Sequence, residues 1–138
     1  MRLRLLTSGQ WQVAALIDDR DRCEVLEALN ALAANKQTEA TAAGFRVWWE
    51  QIPAEGPRQL SDAVYHRVDA KNEIYEFCKR AHRVLCFEAG GRLIVCSHVM
   101  PKGTQKTPKK EVERAVKLKK EYERALVNGG VEIVEDDE

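Results

Sequence analysis

The 138 residues contain no apolar run approaching the roughly 20 residues that a membrane-spanning helix needs. Met-Arg-Leu-Arg-Leu-Leu at the start is charged and passes directly into Thr-Ser-Gly-Gln, which is not a secretory pattern, so no membrane association and a cytoplasmic location are expected. Net charge is missing too: 22 Lys and Arg stand against 22 Asp and Glu. That balance argues against a general nucleic-acid coat protein but leaves room for a local basic surface. Cysteine is scarce and unpatterned. Cys23, Cys78, Cys86 and Cys96 show no Cys-x-x-Cys spacing, and together with His66, His82 and His98 they fit no closed tetrahedral zinc motif. Three of the four fall in apolar runs, where Cys acts as a small hydrophobe, so reduced and mostly buried thiols are expected, with no metal and no cofactor. Internal repeats and low-complexity stretches are absent, which excludes solenoid and disordered classes.

What is present describes one ordinary globular unit. The chain is 44% hydrophobic and 32% charged, enough for a single core of moderate size. Residues 1–128 read as a single domain and residues 129–138 as a solvated acidic tail carrying Glu132, Glu135, Asp136, Asp137 and Glu138. Between Lys102 and Arg124 the sign reverses, with nine basic residues against four acidic ones.

The front half reads as mainly helical. Arg2 to Leu6 alternates like a short strand and Thr7-Ser8-Gly9 ends it. Asp18 or Asp19 is placed to cap a helix in which Cys23, Leu26, Leu29, Leu32 and Ala33 recur at helical spacing, with Asn35 as its stop. A second helix is expected from Thr38 to Gln51, ended by Pro53; its neighbours Trp48 and Trp49 cannot face the same way, so one belongs to the core and the other to an edge. Ser61 to Arg67 reads as one or two further helical turns. Three strands then follow in quick succession, Glu73 to Lys79, His82 to Glu88 and Arg92 to Val99, joined by connections short enough only for antiparallel neighbours. The middle strand is apolar on both faces through Val84, Leu85, Cys86 and Phe87, so helices must cover at least one face of the meander. Thr107 as cap and Pro108 at the first position open a last helix, which Asn128-Gly129-Gly130 closes.

Several of these segments carry a family likeness. Ile74-Tyr75-Glu76-Phe77, His82-Arg83-Val84-Leu85-Cys86-Phe87, Leu93 to Lys102 ending in His98-Val99-Met100-Pro101-Lys102, and Thr104-Gln105-Lys106-Thr107-Pro108 with Glu111 and Ala115 resemble the phage-derived HigB-like branch of the RelE/ParE toxin superfamily. The likeness spans about residues 56 to 124. The chain departs from the pattern at Gly103, where a second Lys is usual, at Cys86, where an aromatic is common, and in a longer front half. The resemblance implies a RelE-like α+β fold, with N-terminal helices packed on a small antiparallel sheet and a C-terminal helix. It also implies a type II toxin, a metal-independent endoribonuclease that cleaves messenger RNA on the ribosome, inhibits translation and growth, and is restrained by an antitoxin, expected to be a small helix-turn-helix protein.

Such cleavage needs a group to take the 2′-OH proton, cations for the developing charge, and an acid for the departing oxygen, all of which Lys, Arg and His can supply. By the resemblance, Arg83 is the expected phosphate clamp; a salt bridge to Glu76 or Glu88 is its alternative. His98 is the expected acid or base, or else a strand-end histidine held by a carbonyl. Lys102 and Lys106 flank the basic turn and complete the catalytic set. Lys79, Arg80, Lys109, Lys110 and His66 are expected RNA contacts. On this reading the guanidinium, the imidazole and the ammonium groups converge on one pocket wide enough for a phosphodiester. The alternative on the same fold is a non-enzymatic binder, such as a gyrase poison or a degenerate toxin acting through a protein partner.

Overall fold

The computed structural model describes residues 1–103 and 105–135; Thr104 of the basic turn and Asp136, Asp137 and Glu138 of the acidic tail lie outside them. In chain order the elements are β1 (Arg2–Ser8), β2 (Gln12–Ile17), α1 (Glu24–Ala33), α2 (Glu39–Glu50), a 3-10 turn at Pro57–Gln59, β3 (Tyr65–Asp69), β4 (Ile74–Lys79), β5 (His82–Glu88), β6 (Leu93–Pro101), α3 (Lys109–Asn128) and β7 (Glu132–Val134). The described residues form an α+β fold around a seven-stranded mixed sheet in the order β3-β4-β5-β6-β2-β1-β7.

The expected meander is the centre of that sheet, with β4, β5 and β6 antiparallel and Cys78 opposite Arg83, which in turn stands opposite Met100. The expectation of a small antiparallel sheet is corrected in three ways. β2, unforeseen, buries Val13, Ala14 and Ala15 completely and pairs parallel with β6. β3 replaces most of the helical turns expected over Ser61 to Arg67. Only one turn forms there, with the Ser61 carbonyl accepting from the amides of Val64 and Tyr65. Thereafter Tyr65 stacks flat on Tyr75, ring centroids 5.0 Å apart, and cross-strand packing overrides the local preference. β7 draws Glu132–Val134 out of the expected solvated tail and pairs it parallel with β1.

Side chains alternate between the two faces of the sheet, and both faces are covered. On one, Tyr75, Phe77, Val84, Cys86 and Cys96 lie under Val25 and Leu29 of α1 and Phe45 and Trp49 of α2. On the other, Ile74, Leu85, Phe87 and Val95 lie under Ala115, Leu118 and Tyr122 of α3. Full burial of each large apolar side chain in these layers contributes roughly 1.5–3 kcal/mol. Trp49 is the core member of the tryptophan pair, while Trp48 lies at the edge with the Lys79 ammonium 4.9 Å from its ring centroid. Gly44 makes room for that lysine, since a Cβ there would meet Lys79 Cε at 2.3 Å.

Two expected caps are also corrected. The Asp18 carboxylate accepts from the amides of Arg20 and Arg22 at 2.9 Å each, closing a turn before α1, whose cap position is Cys23. Thr107 does not cap α3, which starts after Pro108; its hydroxyl donates to the Glu76 carboxylate instead. All four cysteines are buried free thiols, and no helix among the described residues is long and apolar enough to cross a membrane.

Candidate functional site

Glu76 is the one acid in β4, set between apolar neighbours, and it is wholly buried on the α3 face of the sheet. A buried carboxylate is tolerated only with partners, and here it has four. Arg83 Nη1 donates to its Oε2 at 2.6 Å, and the Thr107 hydroxyl donates to its Oε1 at 2.6 Å. His66 Nε2 and Cys78 Sγ lie 2.8 and 3.2 Å from Oε2. Arg83, only 2% exposed, also donates from Nη1 to Thr107 Oγ1 at 2.5 Å and from Nη2 to the Gln105 carbonyl at 3.0 Å. The salt-bridge alternative for Arg83 is therefore realised with Glu76, while Glu88 binds Tyr65 and Arg58 instead. The pair latches the segment from Gln105 to Thr107 against the sheet. Burial, helped by the Glu76 contact, pushes the Cys78 thiol up to about 12.

His98 lies on the same face in a separate network. The β5–β6 register skips at Ser97, so that Cys86 faces Cys96 but Leu85 faces His98. One extra residue flips the alternation, and His98 turns towards α3 rather than towards α1 and α2. Its Nδ1 lies 2.8 Å from Ser97 Oγ and its Nε2 2.9 Å from Glu111 Oε1. Burial, reinforced by the nearby Arg114 charge, holds the imidazole below its ordinary value despite Glu111. A neutral ring then donates from Nε2 to Glu111 and accepts from the Ser97 hydroxyl at Nδ1. The partners are a carboxylate and a hydroxyl, not the carbonyl expected for a structural strand-end histidine.

The lysines are placed differently. Lys102, Lys106, Lys109 and Lys110 are exposed around the latched segment and the first turn of α3. The Lys102 amide ties it to the β4–β5 turn, donating to the Ala81 carbonyl at 2.6 Å. Lys106 and Lys109 line a groove of about 580 Å³ with Val68, Asp69, Thr107 and Val112. The positive end of the α3 macrodipole adds to the lysine charge there. Lys79 lies across the sheet on α2, and Arg80 occupies the β4–β5 turn with φ of 53°. His66 sits on edge strand β3, its Nδ1–H donating to the Asp62 carbonyl at 2.8 Å.

The structure thus brings Arg83 and His66 into one network beneath Lys106, sets His98 nearby on the same face under a second carboxylate, and leaves Lys79 on the other face. The guanidinium and the His98 imidazole are enclosed instead of lining an open pocket. Cys78, Thr107 and Glu111 are site residues to which the sequence assigned no role in the site, and Glu76 entered only as an alternative partner of Arg83. Glu76 had a signal, an acid inside an apolar run diagonal to Arg83 on the next strand; Cys78 and Thr107 had none.

The model of a family described as Phage derived protein Gp49-like (DUF891) matches residues 27–120. No curated protein matches the chain. The matched stretch contains every member of both networks and leaves β1, β2 and β7 outside.

Proposed function

The chain belongs to the Gp49-like family of phage-derived proteins, part of the RelE/ParE-like toxin superfamily, and on that premise we propose that it is a type II toxin that cleaves messenger RNA on the ribosome. The observation that carries this reading is the latch. A buried Arg83–Glu76 pair fixes a segment whose lysines stay in solvent, which is the arrangement expected of a preorganised phosphate-binding surface. Lys102 and Lys106 contact the scissile phosphate and offset the charge that develops as the ribose 2′-OH attacks. Lys109, Lys110 and His66 hold the flanking backbone, where recognition follows charge and shape. Arg83 and His98 are positioning residues in this scheme, since at 2% and 1% exposure neither reaches an RNA without rearrangement. The protein acts in the cytoplasm, and an antitoxin covers the lysine surface until it is released.

Inducing the chain in bacteria should arrest growth and fragment translated transcripts, and the double substitution Lys102→Ala, Lys106→Ala should abolish both effects while leaving the fold intact. Normal growth with intact transcripts on induction of the unaltered chain would overturn the reading. The same enclosure of Arg83 and His98, each held against a carboxylate, favours a second reading, a non-enzymatic binder such as a gyrase poison. DNA-damage signalling with unfragmented transcripts would identify it.

A further inference from the structure

At the edge of the sheet three groups converge in a way that RNA binding by His66 does not explain. His66 and Glu76 are cross-strand partners on β3 and β4, and Cys78 follows Glu76 by two residues, so all three side chains share the α3 face. One nitrogen, one carboxylate oxygen and one sulfur lie within 4.8 Å of one another. We propose that His66, Glu76 and Cys78 bind one zinc-type divalent cation at the edge of the sheet.

Three features of the geometry support this. The first is the orientation of His66. Because Nδ1–H donates to the Asp62 carbonyl, the ring is fixed with Nε2 directed at Glu76 Oε2, 2.8 Å away. A backbone carbonyl on the distal nitrogen is the usual partner of a metal-binding imidazole. Two lone-pair atoms so close require a positive centre between them, either a proton or a metal.

The second feature is the crowding at Oε2. Arg83 Nη1, His66 Nε2 and Cys78 Sγ all converge on this one oxygen, which has two lone pairs. A cation bound by nitrogen, sulfur and Oε2 uses one lone pair and leaves the other to Arg83, so the latch to Gln105 and Thr107 persists. The exchange is also balanced in charge: a divalent ion replaces the proton shared between His66 and Glu76 and the proton of the Cys78 thiol, and Arg83 meets no added net charge.

The third feature is fit. Tetrahedral zinc with nitrogen, oxygen and sulfur ligands sets its donor atoms roughly 3.2–3.6 Å apart. The present separations of 2.8 and 3.2 Å from Oε2 need to open by roughly half an ångström, while His66 Nε2 and Cys78 Sγ, within 4.8 Å of each other, draw in towards the same range. A mixed nitrogen and sulfur set selects zinc-like ions over magnesium or calcium. His66 keeps 36% of its side chain exposed on an edge strand, which provides an entry path and room for a water as fourth ligand.

The test is a titration of the reduced, chelator-stripped full chain with Co(II). The expected result is saturation at one Co(II) per chain, a thiolate-to-cobalt charge-transfer band in the near ultraviolet, and loss of that band on adding Zn(II). Cys78→Ser should remove the band, and His66→Gln should weaken Co(II) binding by roughly tenfold or more, at least the loss typical of an outer-shell partner. No band at millimolar Co(II), or a band undiminished in Cys78→Ser, overturns the proposal. Should Cys78→Ser fail to fold by circular dichroism, His66→Gln decides alone, and unchanged Co(II) affinity in that variant overturns it equally.

Discussion

Replacing Arg83 by methionine isolates the latch that organises the candidate site. Methionine keeps most of the apolar stem, so the change removes charge and hydrogen bonds and leaves only a small void. Glu76 is then a buried carboxylate, fully enclosed, without its cation, and the Gln105 carbonyl loses its donor. Breaking a buried pair from one side costs about 3–5 kcal/mol, against about 0–1 kcal/mol for an exposed pair. At roughly 3–4 °C per kcal/mol for a chain of this size, the melting temperature should fall by about 10–20 °C. Urea unfolding followed by circular dichroism would measure the free energy and check that the denaturant slope is unchanged. Adding Glu76→Leu to Arg83→Met should restore most of the loss, because the uncompensated charge goes with it. A loss below about 1 kcal/mol for Arg83→Met alone would refute the reasoning, since the pair would then behave as a solvated one.

Burial holds His98 below its ordinary value of 6.5, so the unfolded chain takes up a proton there before the folded chain does. Stability should therefore fall as pH drops through about 6.5, and His98→Gln should flatten that part of a urea-midpoint profile from pH 8 to 5. Trp49→Ala should cost about 3–5 kcal/mol, and Trp48→Ala clearly less, because only Trp49 is fully enclosed; paired denaturation curves would show the order. Gly44→Ala should change stability by less than about 1 kcal/mol, its helix-propensity gain offsetting the Lys79 contact with Trp48. The displaced lysine should still alter tryptophan fluorescence. Glu24→Ala, which removes the exposed partner of Arg114, should cost under about 1 kcal/mol in the same assay.

Much of the fold was readable along the chain. Short connections around Lys79-Arg80-Ala81 and Ala89-Gly90-Gly91 implied antiparallel neighbours, and β4, β5 and β6 are antiparallel. Gly129-Gly130 marked the end of α3, where the Gly130 amide donates to the Ala125 carbonyl at 2.6 Å. β2 escaped notice because Val-Ala-Ala-Leu-Ile has no alternation, being buried on both faces between β1 and β6. β3 escaped because its stability comes from Tyr75 and Phe77 on the next strand, not from its own residues. In the site, residue types were visible but their exposure was not. Arg83 and His98 look like open cationic groups in the sequence, whereas each folds against a carboxylate.

Periodicity and turn chemistry are local, and the sequence alone therefore determined the helices, the meander, the two-sided apolar character of its middle strand and the run of lysines ahead of α3. Contacts between distant residues needed the tertiary structure. The Thr107 hydroxyl reaches Glu76 across 31 residues, Glu111 reaches His98 across 13, and a one-residue bulge at Ser97 decides which face His98 occupies. Desolvation acts only once strands and helices have closed over a group, so whether a charge is a solvated ligand or a buried partner is settled by packing and not by the order of residues.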